Sequence, residues 1–231
     1  MIIKSKKLIP IVTLFMILIL PSVAIAGKHV VVIDPAHGGS DRGVKLSMSL
    51  YEKDVTLDIA KLVKENLSGI QDITLKLTRS DDTNVSPATR KKIAGEAGAD
   101  LFVSIHVNAG FGLDAKGYEI YYPVADMPSA EKSNSGEILK DMNQTERLNS
   151  SVIFAQIIRE NMEKIFPREG RGLRNAPVFV LQSMTTPGVL LETGFATNLE
   201  NKKKLKDKEV DKAIADAISE SIKKYFSTGG K

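Results

Sequence analysis

The sequence predicts an α/β fold: a single domain with a mostly parallel or mixed six-stranded sheet flanked by helices on both faces. Three observations carry this expectation. Short β-branched runs alternate with segments whose apolar residues recur at helical spacing, the pattern of strands joined by crossover helices. The composition, 42% apolar and 26% charged, is that of a chain able to bury a substantial core. No internal repeat is visible along the 231 residues.

Each element has its own warrant. His29 to Asp34 is a β-branched run that stops at Pro35 and then Gly38-Gly39, as a buried strand entering a loop does. From Lys53 to Leu67 the residues Val55, Ile59, Leu62 and Val63 share a helical face, and Ser68-Gly69 ends the pattern. Ile73 to Thr78 alternates with period two, as a half-buried strand does. Ser86-Pro87 supplies an N-cap and a first-turn proline for a helix reaching about Ala97. Asp100 to His106 and Gly117 to Tyr122 read as the third and fourth strands. Asn149 to Phe166 reads as a helix with Phe154, Ile158, Met162 and Ile165 on one face. Val178 to Leu181 and Val189 to Leu191 read as two short apolar strands. Val210, Ile214, Ala217, Ile218 and Tyr225 mark a closing amphipathic helix, and Lys202-Lys203-Lys204 begins or flanks a surface helix. Residues 123–148 are polar without a sustained apolar period, which predicts a loop or lid insertion with room for short helical content.

The first 26 residues stand apart. Lys4, Lys6 and Lys7 precede an apolar run from Leu8 to Leu20, and Ala24-Ile25-Ala26 follows Pro21, the layout of a secretory signal peptide cleaved near Ala26-Gly27. The expected division is a signal peptide over 1–26, a single domain over 27–226 and a disordered tail over 227–231. The chain has 32 Lys and Arg against 28 Asp and Glu, and loss of the three leader lysines leaves it near neutral. Neither that balance nor export favours nucleic acid as a partner. The chain has no cysteine, which excludes disulfides, thiolate metal sites and cysteine nucleophiles, so any catalysis must use oxygen or imidazole groups.

In α/β sheets the functional crevice opens beyond the carboxyl ends of the strands. Asp34-Pro35-Ala36-His37-Gly38-Gly39 follows the first strand, His106-Val107-Asn108 closes the third and Glu192-Thr193-Gly194 closes the sixth. Glu52 sits just before the first helix, on the loop that carries His37. Two of the three histidines and two carboxylates therefore arrive at one predicted edge. Two imidazoles, one carboxylate and an open position make a catalytic zinc donor set, and the second carboxylate is then free to act as base. Gly38-Gly39 allows a sharp turn past His37. His29 begins a strand at the opposite edge and is expected to be structural. Asp34 either accepts a hydrogen bond from a ligand imidazole or caps the following loop.

DPAHGG at 34–39, YEKDVTLDIA at 51–60, ADLFVSIHVNA at 99–109, KGYEIYY at 116–122 and VLLETGFATN at 189–198 together resemble the zinc-dependent N-acetylmuramoyl-L-alanine amidases, the amidase-3 family. The likeness spans essentially the whole chain after the leader, in the family's order. It implies that His37, Glu52 and His106 bind Zn²⁺ while Glu192 is the catalytic carboxylate. It implies hydrolysis, in peptidoglycan, of the amide joining the lactyl group of N-acetylmuramic acid to L-alanine, in the periplasm or cell wall. Ala36 departs from the family's more frequent glycine, which is harmless if that position needs no positive φ. The family's division-associated members carry a long helical insertion that blocks the zinc; the corresponding stretch here is short and lacks an apolar face.

Several further residues are candidates. Asn108 is two residues beyond His106 and either contacts substrate or caps a turn. Glu119 either reaches the site or faces water, and water is the simpler expectation. Arg171 and Arg174 would suit a peptide carboxylate held bidentately, against the plainer reading of a solvated loop. A monomer is expected, and with no wall-binding repeat after residue 226 its targeting falls to this domain or to an activating partner protein. Two rivals share these residues: a zinc peptidase cutting within the stem peptide, and a catalytically silent wall-binding module.

Overall fold

The strands assemble into one six-stranded sheet in the order β2-β1-β3-β6-β4-β5 in a computed structural model of the chain, which describes residues 29–124 and 135–230. The expected signal peptide over 1–26 lies outside the described residues. The elements are β1 (His29–Pro35), α1 (Glu52–Asn66), β2 (Ile73–Leu77), α2 (Pro87–Glu96), β3 (Leu101–Asn108), β4 (Glu119–Tyr122), α3 (Ser135–Ile165), β5 (Leu173–Asn175), β6 (Gly188–Phe195), α4 (Leu199–Lys204) and α5 (Lys208–Ser227). β2, β1, β3 and β6 run parallel to one another, and β4 is antiparallel to β6 while pairing β5 in parallel, so the sheet is mixed.

Local chemistry accounts for most of the boundaries. At α2, Ser86 Oγ accepts from the Thr89 N–H at 3.1 Å and Pro87 takes the first helical position, as the sequence leads one to expect. Asp54 accepts from the Tyr51 N–H at 2.9 Å to close the start of α1, and Asp207 accepts from the Glu209 N–H at 3.0 Å at the start of α5.

The two faces of the sheet are unequal. On one, Val31, Ile33, Val103, Ile105, Val189 and Leu191 pack with α1, α3 and α5 into the main core, which includes Val55, Ile59, Phe154, Ile158, Ile218 and Tyr225. The other face is covered by a smaller cluster of Val32, Ala94, Phe102, Val180, Leu181, Met184 and Leu190. Alternation along the strands sends Asp34, Ser104, His106 and Glu192 toward this thinner side. His29 stacks on Phe226 with ring centroids 4.1 Å apart, a structural role.

Three expectations are corrected here. Val178 to Leu181 is not a strand: it forms turns whose side chains cover the thin face, and the fifth strand is Leu173–Asn175. The apolar run is there for packing, while a three-residue strand leaves no periodicity to read. The polar stretch 123–148 is not mainly a loop, because residues 135–148 form the first half of α3. That half has no buried stripe, with Ile138, Leu139 and Met142 exposed, and it propagates from the packed second half. At the carboxyl end, α5 runs through Ser227 and the Gly230 N–H donates to the Tyr225 carbonyl, so the expected tail is held to the helix as far as Gly230.

Candidate metal centre

His37 and Glu52 meet because the chain between them doubles back. Gly38 and Asp41 exchange backbone hydrogen bonds, the Glu52 N–H donates to the Val44 carbonyl at 2.8 Å and the Lys53 N–H to the Arg42 carbonyl at 3.3 Å. His37 itself adopts φ 59°, in the left-handed region, followed by Gly38 at 134° and Gly39 at 59°. A non-glycine residue held there is strained and signals that its surroundings fix it. Ala36 is not among the positive-φ residues, so its methyl is accommodated.

The bracing of this loop comes from two buried arginines that the sequence reading did not single out. Arg90 donates to Asp34 Oδ1 at 2.6 Å, to the Pro35 carbonyl at 2.7 Å and to the His37 carbonyl at 2.7 Å. Arg79 donates to the carbonyls of Pro35 at 3.0 Å and Ala36 at 2.8 Å. Asp34 also accepts from Thr78 Oγ1 at 2.6 Å and Ser104 Oγ at 2.7 Å. Asp34 is thus neither an imidazole acceptor nor a simple loop cap, but the buried counter-ion of Arg90. The group beside His37 is Asp41, whose Oδ2 lies 2.8 Å from Nδ1.

Glu52 lies between the two imidazoles. Its Oε1 is 3.1 Å from His37 Nε2 and 3.2 Å from His106 Nδ1, and the carboxylate accepts the N–H groups of Val107 at 2.9 Å and Val44 at 3.0 Å. Burial alone would raise its pKa, but the contacts with His106 and His37 outweigh burial and bring it down to about 2. Burial would lower that of His37, yet Glu52 and Asp41 raise it to about 9. One ligand atom from each of His37, Glu52 and His106 lies within 4.8 Å of the others. Two imidazoles and one carboxylate at this spacing fit a divalent cation of the zinc type. The cradle is tight: a Cβ on Gly43 would lie 2.5 Å from Glu52 Oε2 and 2.7 Å from His37 Cδ2.

The sheet register places the remaining groups. Glu192 pairs with His106 on one side and with Glu119 on the other, so the three side chains stand abreast on one face. Among the described residues Glu192 makes no ion pair, its Oε2 is buried without a hydrogen-bond partner, and burial pushes its pKa up to about 7. Glu119 does not face water. It is 5% exposed and accepts from Asn108 Nδ2 at 3.0 Å, Tyr121 Oη at 2.9 Å, Arg171 Nε at 3.0 Å and Arg174 Nη2 at 3.4 Å. Asn108, Arg171 and Arg174, expected separately, are therefore one cluster around Glu119.

The His–Glu–His cluster and the buried carboxylates thus stand side by side across a mixed sheet. The family model of N-acetylmuramoyl-L-alanine amidases matches residues 31–224, and the chain belongs to that family. It is 32% identical over 223 residues to N-acetylmuramoyl-L-alanine amidase AmiA of Escherichia coli K12, covering 87% of this chain and 77% of AmiA. It is 34% identical over 196 residues to LytC of Bacillus subtilis, covering 84% of this chain and 35% of LytC. Among solved structures, amidase AmiC2 of Nostoc punctiforme matches with a TM-score of 0.72 at 33% identity, covering 87% of this chain and 99% of that one. CwlD of Clostridioides difficile, solved in complex with the GerS lipoprotein, matches with a TM-score of 0.71 at 26% identity, covering 87% and 100%. The protein is accordingly a cell-wall hydrolase of the N-acetylmuramoyl-L-alanine amidase type, acting on peptidoglycan. No helix among the described residues is long and apolar enough to cross a membrane.

Proposed function

We propose that His37, Glu52 and His106 hold a catalytic Zn²⁺ and that Glu192 is the proton-transferring carboxylate in hydrolysis of the bond between N-acetylmuramic acid and L-alanine. The observation that carries this is the juxtaposition of three donor atoms within 4.8 Å of one another with a buried, unpaired carboxylate one strand away. When bound, zinc would lower the pKa of a coordinated water to about 7 and polarise the scissile carbonyl. Glu52, anchored by two backbone N–H groups, holds its carboxylate toward both imidazoles. Glu192 takes the proton of the attacking water and returns it to the leaving amine of L-alanine. Its free Oε2 is the acceptor for that proton.

The same reading has residues 1–26 exporting the chain to the periplasm or cell wall, with 27–226 as the catalytic domain. The solved CwlD–GerS complex supports room for a protein partner in this family. Digestion of purified peptidoglycan followed by mass spectrometry tests the bond assignment. Release of intact stem peptides that begin with free L-alanine, leaving bare glycan strands, is the expected result. Cuts between amino acids would replace the amidase assignment by a peptidase.

A further inference from the structure

The centre has two flanks of different chemistry. Toward β1 and α2, a cavity of about 240 Å³ is lined largely by apolar groups, among them Ala36, Val85, Val178, Phe179 and Leu190. Toward β4 and the segment that leads into β5, a cavity of about 450 Å³ is lined by Asn108, Phe111, Glu119, Tyr121 and Arg171, with Asp114 also on its wall. Glu119, buried at the base of that second cavity, joins it to the centre through its register partner Glu192.

Glu119 is fully occupied as an acceptor. Asn108 and Tyr121 saturate Oε2, and Arg171 and Arg174 converge on Oε1. It therefore acts as an anchor for the guanidinium groups. Each arginine spends one of its five N–H donors on Glu119, and the two side chains remain 43% and 45% exposed. Two cations share one carboxylate, which leaves one positive charge and most of two planar donor forks free of Glu119, with Arg171 itself lining the cavity and Arg174 held beside it on the same carboxylate oxygen. The Arg171 guanidinium also lies 5.4 Å from the centre of the Phe195 ring, which restricts its orientation.

We propose that Arg171 and Arg174, fixed by Glu119, form a clamp for a free carboxylate on the peptide side of the scissile amide, so that the peptide lies over β4 and β5 and the sugar over the apolar flank. This rests on the amidase assignment. The peptide half of the substrate carries free carboxylates, whereas the sugar half presents hydroxyl and acetamido groups. A planar guanidinium fork matches a carboxylate bidentately, which a solvated lysine would not. Glu119 is a positioning residue here, and the two arginines are binding residues.

The test uses N-acetylmuramoyl-L-alanyl-D-glutamyl-L-lysine in three forms: free acid, amidated at the D-glutamyl carboxyl, and amidated at the C-terminus. Hydrolysis is measured for each, and calorimetry measures binding of the corresponding released tripeptides. The free acid should exceed one of the amides by about ten- to a hundredfold in kcat/KM and in affinity, as expected for charged hydrogen bonds. Whichever amide loses identifies the carboxylate. Arg171→Gln combined with Arg174→Gln should abolish the discrimination, and the double Arg→Lys variant should restore part of it. Equal handling of all three forms by the wild type, or discrimination that survives in the double Gln variant, would overturn the clamp and leave the amidase assignment intact. Carboxylate-dependent binding without hydrolysis of any form would support the clamp and remove the amidase assignment. Absence of both would remove both.

Discussion

Gly43 offers a sharp test of how tightly the ligand set is built. Its φ of +63° is in the left-handed region, and an added Cβ would lie 2.5 Å from Glu52 Oε2, 2.7 Å from His37 Cδ2 and 2.8 Å from Glu52 Cβ. The left-handed conformation costs alanine roughly 1–2 kcal/mol. Forcing a methyl into a filled site adds about 1–3 kcal/mol, because neither neighbour is the free end of a flexible chain: both are pinned to the backbone or to each other. Gly43→Ala should therefore lose about 2–5 kcal/mol in urea unfolding with the metal chelated. It should also lose about 10- to 100-fold in zinc affinity, measured by competition with a chromophoric chelator, because the two ligands must move apart. Gly69→Ala is the control, since that residue has φ +86° but nothing within 4 Å of its Cβ. It should show only the backbone part of the stability loss and unchanged zinc affinity. Wild-type zinc affinity in Gly43→Ala, or an equal loss in Gly69→Ala, would refute the idea that packing at Gly43 sets the ligand geometry.

Other consequences follow from single residues. Arg90→Met leaves the buried Asp34 carboxylate without its cation and frees two loop carbonyls, so urea unfolding should show a loss of about 3–5 kcal/mol. A double variant with Asp34→Asn should lose less than the sum of the two single changes. Glu192→Gln should retain zinc by elemental analysis yet lose about 10²–10⁴ in kcat, and near-normal turnover would remove Glu192 from its role. Burial raises the pKa of Asp211 from 3.8 to about 6, despite its contact with Lys208. A carboxyl that binds its proton more tightly when folded contributes stability that is complete below pH 3.8 and lost as pH rises through about 6. That difference is worth up to ~3 kcal/mol, so the urea midpoint of Asp211→Asn relative to wild type should rise between pH 4 and pH 7.5. A constant difference across that range would show that Asp211 is not the group responsible.

The sequence revealed most where periodicity and register coincide. β1 and β3 are continuous apolar runs because parallel strands buried on both faces leave no polar alternation, and α1 and α5 carry regular stripes toward the main core. The gathering of His37, Glu52, His106 and Glu192 at one place is legible because each follows a predicted strand or begins a helix. What escaped depends on partners distant in the chain. Arg79 and Arg90 carry no signal in the sequence, yet they lie buried and donate to the carbonyls of residues 35–37. Asp41 and the inward turn of Glu119 likewise need the third dimension, since a carboxylate next to an aromatic strand pattern looks solvated until Asn108, Arg171 and Arg174 arrive from elsewhere. Val178 to Leu181 misled because apolar residues covering a sheet face have the composition of a strand without its backbone.

Hydrolysis by this site rests on one zinc ion shared by His37, Glu52 and His106. Elemental analysis of the purified chain, with zinc-edge X-ray absorption on the same sample, addresses it directly. One zinc per chain is expected, with two imidazole nitrogens and a carboxylate oxygen among its ligands, and His106→Ala is expected to lose it. A wild-type protein that takes up no zinc, or a His106→Ala protein that keeps it in an unchanged coordination shell, would contradict the account.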